Sequence, residues 1–184
     1  MNITPRFEFG FGLSYTTFGY SDMQVSLVQD NNDASAADES AWAAGKAGPN
    51  AREIGASRAL WLHRPYITVS VTILNTGGVF GGDVRRFHYC HCEQGADGDA
   101  MPIQNPQLYI HFPQSSGEPP NVLKGFTDIE LNPGKSGEAT FSLSRFDLSV
   151  WDVVQQTWVR PSGTITGSVG RSSRDLRVSA TISS

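Results

Sequence analysis

Lysine is scarce in this sequence: three occur in 184 residues, at positions 46, 124 and 135, and the formal net charge at pH 7 is −4. A polybasic membrane patch or a nucleic-acid scaffold needs clustered positive charge, so neither a nucleic acid nor a membrane is an expected partner. Charged residues of both signs reach only 17%, below the globular norm. No run approaches the roughly 18 apolar residues of a spanning helix. The opening Met1-Asn2-Ile3-Thr4-Pro5-Arg6 lacks the charged-then-apolar layout of an export signal. Cysteine is equally rare. Cys90 and Cys92 stand one residue apart, where a bridge would close a ring that fits disulfide geometry poorly, so they fix no redox compartment.

Glycine is plentiful by contrast, with 19 residues, and 10 prolines accompany it. That composition favours turns and strands over long helices. The length suits one domain with a buried core. These bounds leave a soluble, turn-rich, all-β domain.

Residues 5–20 are aromatic and glycine-rich: Phe7, Phe9, Phe11, Tyr15, Phe18 and Tyr20 are spaced by Gly10, Gly12 and Gly19. The glycines argue for a bent connector rather than a strand. A first strand is expected where Met23, Val25 and Leu27 alternate with Gln24 and Ser26. Residues 29–59 break the pattern with ten alanines and no apolar period, and read as a long, partly disordered loop with a short helix around 36–46. Beyond it, Ile67, Val69, Val71 and Ile73 alternate with Thr68, Ser70 and Thr72, the signature of a half-buried strand. Asn75-Thr76-Gly77-Gly78 ends it as a turn. Further strands are expected at Leu108–Phe112, 122–126, 129–131, 139–143, 165–169 and 176–182. About seven short strands predict a two-sheet sandwich of immunoglobulin or fibronectin type III kind, an architecture that hosts many functions.

Four stretches carry more than pattern. They are Phe9-Gly10-Phe11-Gly12-Leu13-Ser14-Tyr15-Thr16-Thr17-Phe18, then Val71-Thr72-Ile73-Leu74-Asn75-Thr76-Gly77 with Gly82-Asp83-Val84 and Gln107-Leu108-Tyr109-Ile110. Next come Leu123-Lys124-Gly125-Phe126 with Leu131-Asn132-Pro133-Gly134. The last is Asp147-Leu148-Ser149-Val150-Trp151-Asp152 with Trp158-Val159 and Val169-Gly170-Arg171-Ser172-Ser173-Arg174-Asp175. In this order they resemble the C-terminal end of a fungal β-glucosidase of glycoside hydrolase family 3.

The resemblance implies a retaining hydrolase of β-linked glucosides, active in cellulose and carbohydrate breakdown, with three domains. Its nucleophile is an aspartate on a barrel and its acid/base a glutamate on an α/β sandwich domain. Both precede the Phe9–Phe18 stretch, so no position here inherits either role, and no cofactor is implied. The chain would be the fibronectin type III-like domain that braces the other two, with a connector at 1–20, a domain at 21–184 and loop insertions at about 29–60 and 85–105. The connector aromatics Phe7, Phe9, Phe11, Tyr15 and Phe18 are then the expected interdomain contacts. The barrel and α/β domains are the expected partners, with polysaccharide a further candidate, and secretion is the expected fate of the parent enzyme. Residues 85–105 interrupt the family pattern and resemble a translated intron. The abrupt start at Met1 is what a truncated gene model would give.

Other candidate sites meet ordinary alternatives. Retaining hydrolysis needs two carboxyl groups about 5–5.5 Å apart. Asp147 and Asp152 flank a turn they are placed to cap, and Asp128 and Glu130 lie two apart, both toward water. His88-Tyr89-Cys90-His91-Cys92 is too cramped for a zinc site, and Asp97-Gly98-Asp99 lacks the remaining ligands of a calcium loop, so no metal is expected. Trp42, Trp61, Trp151 and Trp158 could stack on sugars, but Trp151 and Trp158 suit the core or its edge, and Trp61 an apolar edge. Asn2-Ile3-Thr4 is a glycosylation sequon, usable on a secreted chain. A carbohydrate-binding module or a free-standing adhesion-type sandwich are the alternative functions.

Overall fold

The computed structural model describes residues 4–12, 14, 16–28, 36–48, 60–81 and 105–182. Along the chain lie β1 (Phe18–Leu27), α1 (Ala36–Ala43), β2 (Pro65–Asn75), β3 (Gln107–His111), β4 (Val122–Phe126), β5 (Ser136–Ser144), β6 (Val150–Asp152), β7 (Thr157–Val159), β8 (Ile165–Ser172) and β9 (Asp175–Ile182). Among the described residues no helix is long and apolar enough to cross a membrane.

The alternation at 67–73 becomes β2, the middle of a three-stranded antiparallel sheet ordered β1-β2-β5. Ile67, Val69, Val71 and Ile73 are fully buried. They pair in register with Val25 and Leu27 on one side and with Ala139, Phe141 and Leu143 on the other. Opposed residues of antiparallel strands share a face, so the three apolar sets line one side of the sheet. A four-stranded sheet ordered β4-β3-β8-β9 lies against that side. Leu108, Ile110, Ile165, Val169 and Ile182 complete the common core. Because β4 pairs with β3 rather than β5, the arrangement is three strands over four, unlike the immunoglobulin constant layout. β6 and β7 form a separate hairpin.

Three expectations need correction. The first strand begins at Phe18, not Met23. Phe18 and Tyr20 face Asn75 and Ile73, whereas Val25 and Leu27 face Val69 and Ile67, so the inward phase changes from even to odd positions. One extra residue, at a bulge where Asp22 adopts φ 51°, makes that change possible. Phe18 is therefore core, 7% exposed, and the connector ends at residue 17 rather than 20.

Within 29–60 the short helix expected around 36–46 forms as α1, and the described part packs on the sandwich rather than running as loop. Trp42 on α1 is buried, its Nε1 donates to Ser149 Oγ at 2.8 Å, and its ring meets Tyr66 edge-on at 5.5 Å. Buried Arg145 lies 4.1 Å over the Tyr66 ring and pairs with Glu39. One aromatic side chain thus tacks the helix to the sandwich. Among the described residues, 129–131 carry isolated bridges, Leu131 to Gly81 among them, and no strand. The insertion at 85–105 lies, but for Asn105, outside the described residues.

Asn75 is the polar exception at the end of β2. Its side chain is fully buried with every hydrogen-bonding position used. Oδ1 accepts from Thr16 Oγ1 at 2.7 Å and from Gly77 N at 3.0 Å, and Nδ2 donates to the carbonyls of Val79 and Leu131, both at 2.8 Å. The Asn-Thr-Gly-Gly turn is therefore a junction of three chain segments. Gly81 permits it: a Cβ there would strike the Phe18 ring and lie 2.8 Å from Thr16 Cγ2.

Asn75→Ala should destabilise the fold by about 3 kcal/mol, since it leaves buried polar groups without partners. Urea midpoints measure this. Asn75→Asp should cost no less, because it sets a carboxylate against two carbonyl oxygens.

Candidate docking site

The aromatic segment before β1 turns back on itself at Glu8–Phe11, where Phe11 N–H donates to Glu8 O at 3.2 Å and Gly10 adopts φ 77°. That left-handed conformation suits glycine, and a Cβ at Gly10 would also collide with the Gln107 carboxamide. The backbone then binds the end of the four-stranded sheet. Ser173 N–H donates to Phe9 O at 3.0 Å. Gln107 Nε2 donates to Gly10 O at 3.2 Å and to Arg171 O at 3.0 Å. Ser172 Oγ donates to the Glu8 carboxylate at 2.8 Å and accepts from Asp175 N at 3.1 Å. Arg174 Nη1 reaches Pro5 O at 3.5 Å.

The supporting groups are themselves held. Gln107 and Tyr109 alternate with Leu108 and Ile110, so they point away from the core, yet both are buried. Tyr109 OH donates to Gln107 Oε1, and burial raises the phenol above its usual pKa. Asn121 Nδ2 donates to Ser173 O at 2.9 Å.

With the backbone fixed, the rings face out. Phe7, Phe9 and Phe11 are 58%, 68% and 45% exposed. Phe7 and Phe11 stack at 5.0 Å, and Arg6 covers Phe7 at 5.6 Å. Phe126 lies opposite Gln107 in the β3–β4 register and is exposed on the same side. The result is a held apolar patch, the kind of feature that marks an interaction surface.

Other candidates fall elsewhere. Phe18 is in the core, and Tyr15 and Asn2 lie outside the described residues. So do His88, Cys90, His91, Cys92, Asp97 and Asp99. Among the described residues no group of three or more His, Cys, Asp or Glu side chains could hold a metal ion. Asp147 Oδ2 accepts from Ser144 N and Oγ at 2.9 and 2.7 Å. Asp152 Oδ1 accepts from Val154 N and Gln155 N at 2.8 and 2.9 Å. The Gln155 amides and Val154 N–H hold the Asp152 carboxyl below its usual range, opposite to what a general acid requires. Asp128 and Glu130 are exposed. Trp61 packs against the core, and Trp151 meets Trp158 edge-on at the surface.

Sequence reasoning singled out the phenylalanines but not the groups that hold their backbone, Gln107, Ser172, Ser173 and Arg174. The available signal was a polar run after β8 in a stretch that already carried the family resemblance. Parts of all four stretches, far apart in sequence, meet at this one end of the sandwich.

The model of the fibronectin type III-like domain matches residues 104–173, from just before β3 to the anchoring turn. Similarity to curated proteins runs over almost the whole chain. It is 36% identical to β-glucosidase cel3A of Pyricularia oryzae, across 98% of this chain and 20% of that protein. It is 41% identical to probable β-glucosidase G of Aspergillus terreus, across 96% and 18%. The chain carries a fibronectin type III-like domain of the kind found in fungal β-glucosidases. Among solved structures, the module superposes on β-D-glucoside glucohydrolase from Trichoderma reesei with a TM-score of 0.68 and 37% identity, covering 99% of this chain and 20% of that one. β-Glucosidase 3B from Thermotoga neapolitana gives 0.60 and 27%, covering 97% and 17%. The module spans about a fifth of the length of these relatives.

The anchor predicts a pH dependence. The Glu8 carboxyl is held below its ordinary value of 4.5, first by its own backbone N–H and then by the Ser172 hydroxyl. A carboxyl with a lowered folded pKa contributes fully above its ordinary value and loses that contribution as pH falls through the lowered one. The Ser173 amide resonance should therefore move toward its unbonded position only below pH 4.5. Glu8→Gln should remove that inflection. An unchanged titration would mean that Gln107 and Ser173 hold the segment alone.

Proposed function

We propose that this module is a non-catalytic structural brace that docks through Phe7, Phe9 and Phe11 onto the catalytic domains of a β-glucosidase. The observation that carries the reading is the pairing of a pinned backbone with outward-facing phenylalanines at the end joined, in the family pattern, to the α/β sandwich domain. Each ring could contribute about 1.5–3 kcal/mol on burial. Interdomain contacts of about 600–1,500 Å² are typical within one chain. The parent enzyme would be secreted and would hydrolyse β-D-glucosides with retention during cellulose breakdown, and Asn2 would then be open to glycosylation. A polysaccharide-binding role has less support. Sugar binding favours a planar aromatic row, whereas Trp42 is buried and Trp151 meets Trp158 at 66°.

Two measurements test the brace. The purified chain should release no product from an aryl β-glucoside, since loss of both catalytic groups removes most of the acceleration of about 10⁶-fold or more. Turnover that follows the chain through purification and disappears in Asp147→Asn or Asp152→Asn would overturn this. In a chimera carrying this module in place of the matching fifth of the Trichoderma reesei enzyme, Phe9→Ser with Phe11→Ser should lower the unfolding temperature and leave KM unchanged. An unaltered melting curve would show that the rings do not dock.

A further inference from the structure

The docking end is basic although the chain as a whole is acidic. Arg6 lies over Phe7, and Arg174 reaches the carbonyl of Pro5 beside it. Arg171 and Arg177 flank a single carboxylate, Asp175, at 4.0 and 2.5 Å. The other carboxylate of the segment and its turn, Glu8, is engaged by Ser172. Four guanidiniums thus stand against two carboxylates on the aromatic segment and on the β8–β9 turn region that holds it, in a chain of net charge −4. Arg6, Arg174 and Arg177 are all exposed.

We infer that the surface this face takes is apolar at its centre and framed by carboxylates, an acidic protein surface rather than a neutral one. The inference rests on the docking reading above and names the chemistry of the partner. Guanidinium groups are weakly hydrated, stack on aromatic rings and bind carboxylates bidentately, so they suit an interface that also buries phenylalanine. Complementary charge around an apolar centre fixes register and suppresses wrong partners. A second copy seated face to face would set arginine against arginine, so self-pairing through this face is disfavoured.

Two apolar dyes separate the terms on the full chain. Anilinonaphthalene sulfonate carries a negative charge, and Nile red carries none. Sulfonate-dye affinity should fall about fivefold or more as salt rises from about 0.01 to about 1 M, which shortens the Debye length from about 30 to about 3 Å. Arg6→Gln with Arg177→Gln, neither of them an anchor of the segment, should lose a similar factor at low salt, lose the salt dependence, and bind Nile red as before. Phe9→Ser should weaken both dyes. If the arginine variant binds the sulfonate dye normally, or loses both dyes equally, the acidic partner is overturned while docking stands. If Phe9→Ser binds both dyes normally, docking itself is overturned.

Discussion

The four hydrogen bonds of the Asn75 side chain are the constraint on which the arrangement depends. They sit where β2 ends, where the aromatic segment passes into β1, and where the 131–135 turn returns toward β5. Main-chain bonds reinforce the junction: Asn75 N–H donates to Lys135 O and Thr76 N–H donates to Thr17 O, at 3.0 and 2.8 Å. A carboxamide is the one uncharged side chain able to accept two hydrogen bonds and donate two in that small volume. Its burial would be costly with any one bond missing, and with all four made it fixes three segments together. The direction in which the connector leaves the sandwich follows from Thr16 at this junction and Gly10 at Gln107.

Periodic parts of this architecture were legible in the sequence, and contacts without a period were not. The alternation at 67–73 reported a strand because one face of β2 is entirely core. Phe18 was misplaced because its glycine-rich, aromatic surroundings resemble the connector, and only the bulge at Asp22 reveals that Phe18 and Val25 face the same way. Trp42 stood among alanines with no apolar neighbours in phase. Its burial depends on Tyr66 and Ser149, which are distant in sequence. The anchors escaped for a similar reason. Gln107 and Ser172 act through side-chain bonds to a segment about a hundred or more residues away, and such pairing leaves no mark on local spacing. The family resemblance did place these stretches in view, but it could not say that all four meet at one end of the sandwich.

The carboxylates show how function divides between this module and the rest of its relatives. Asp147 and Asp152 stabilise short turns by accepting backbone N–H bonds, and at Asp152 those bonds favour the ionised form. A glycosidase acid must instead hold its proton near neutral pH, which requires burial or a neighbouring negative charge. Turn capping and general acid catalysis therefore demand opposite environments of the same group. Here the hydrogen bonds commit the Asp152 carboxylate to the turn.

The connector separates two tasks that usually compete. Its main chain is held by Gln107, Ser172 and Ser173, while its phenylalanine rings stay exposed. Docking a flexible tail would first have to order its backbone, at about 1–2 kcal/mol per residue. Here that ordering is already supplied by the sandwich, so most of the burial energy of the rings would remain available to the proposed interface. The second exposed apolar group, Trp151, Val153 and Val154 on the β6–β7 hairpin, lies at the other end of β8, where Arg160 Nη2 donates to Ile182 O. β8 itself runs eight residues, about 23 Å of strand, from the hairpin's base to the turn that anchors the connector. A single flat surface at the connector end leaves the hairpin uncovered. Under the proposed bracing role, a second exposed apolar group away from the connector offers the sandwich a second place to meet a domain.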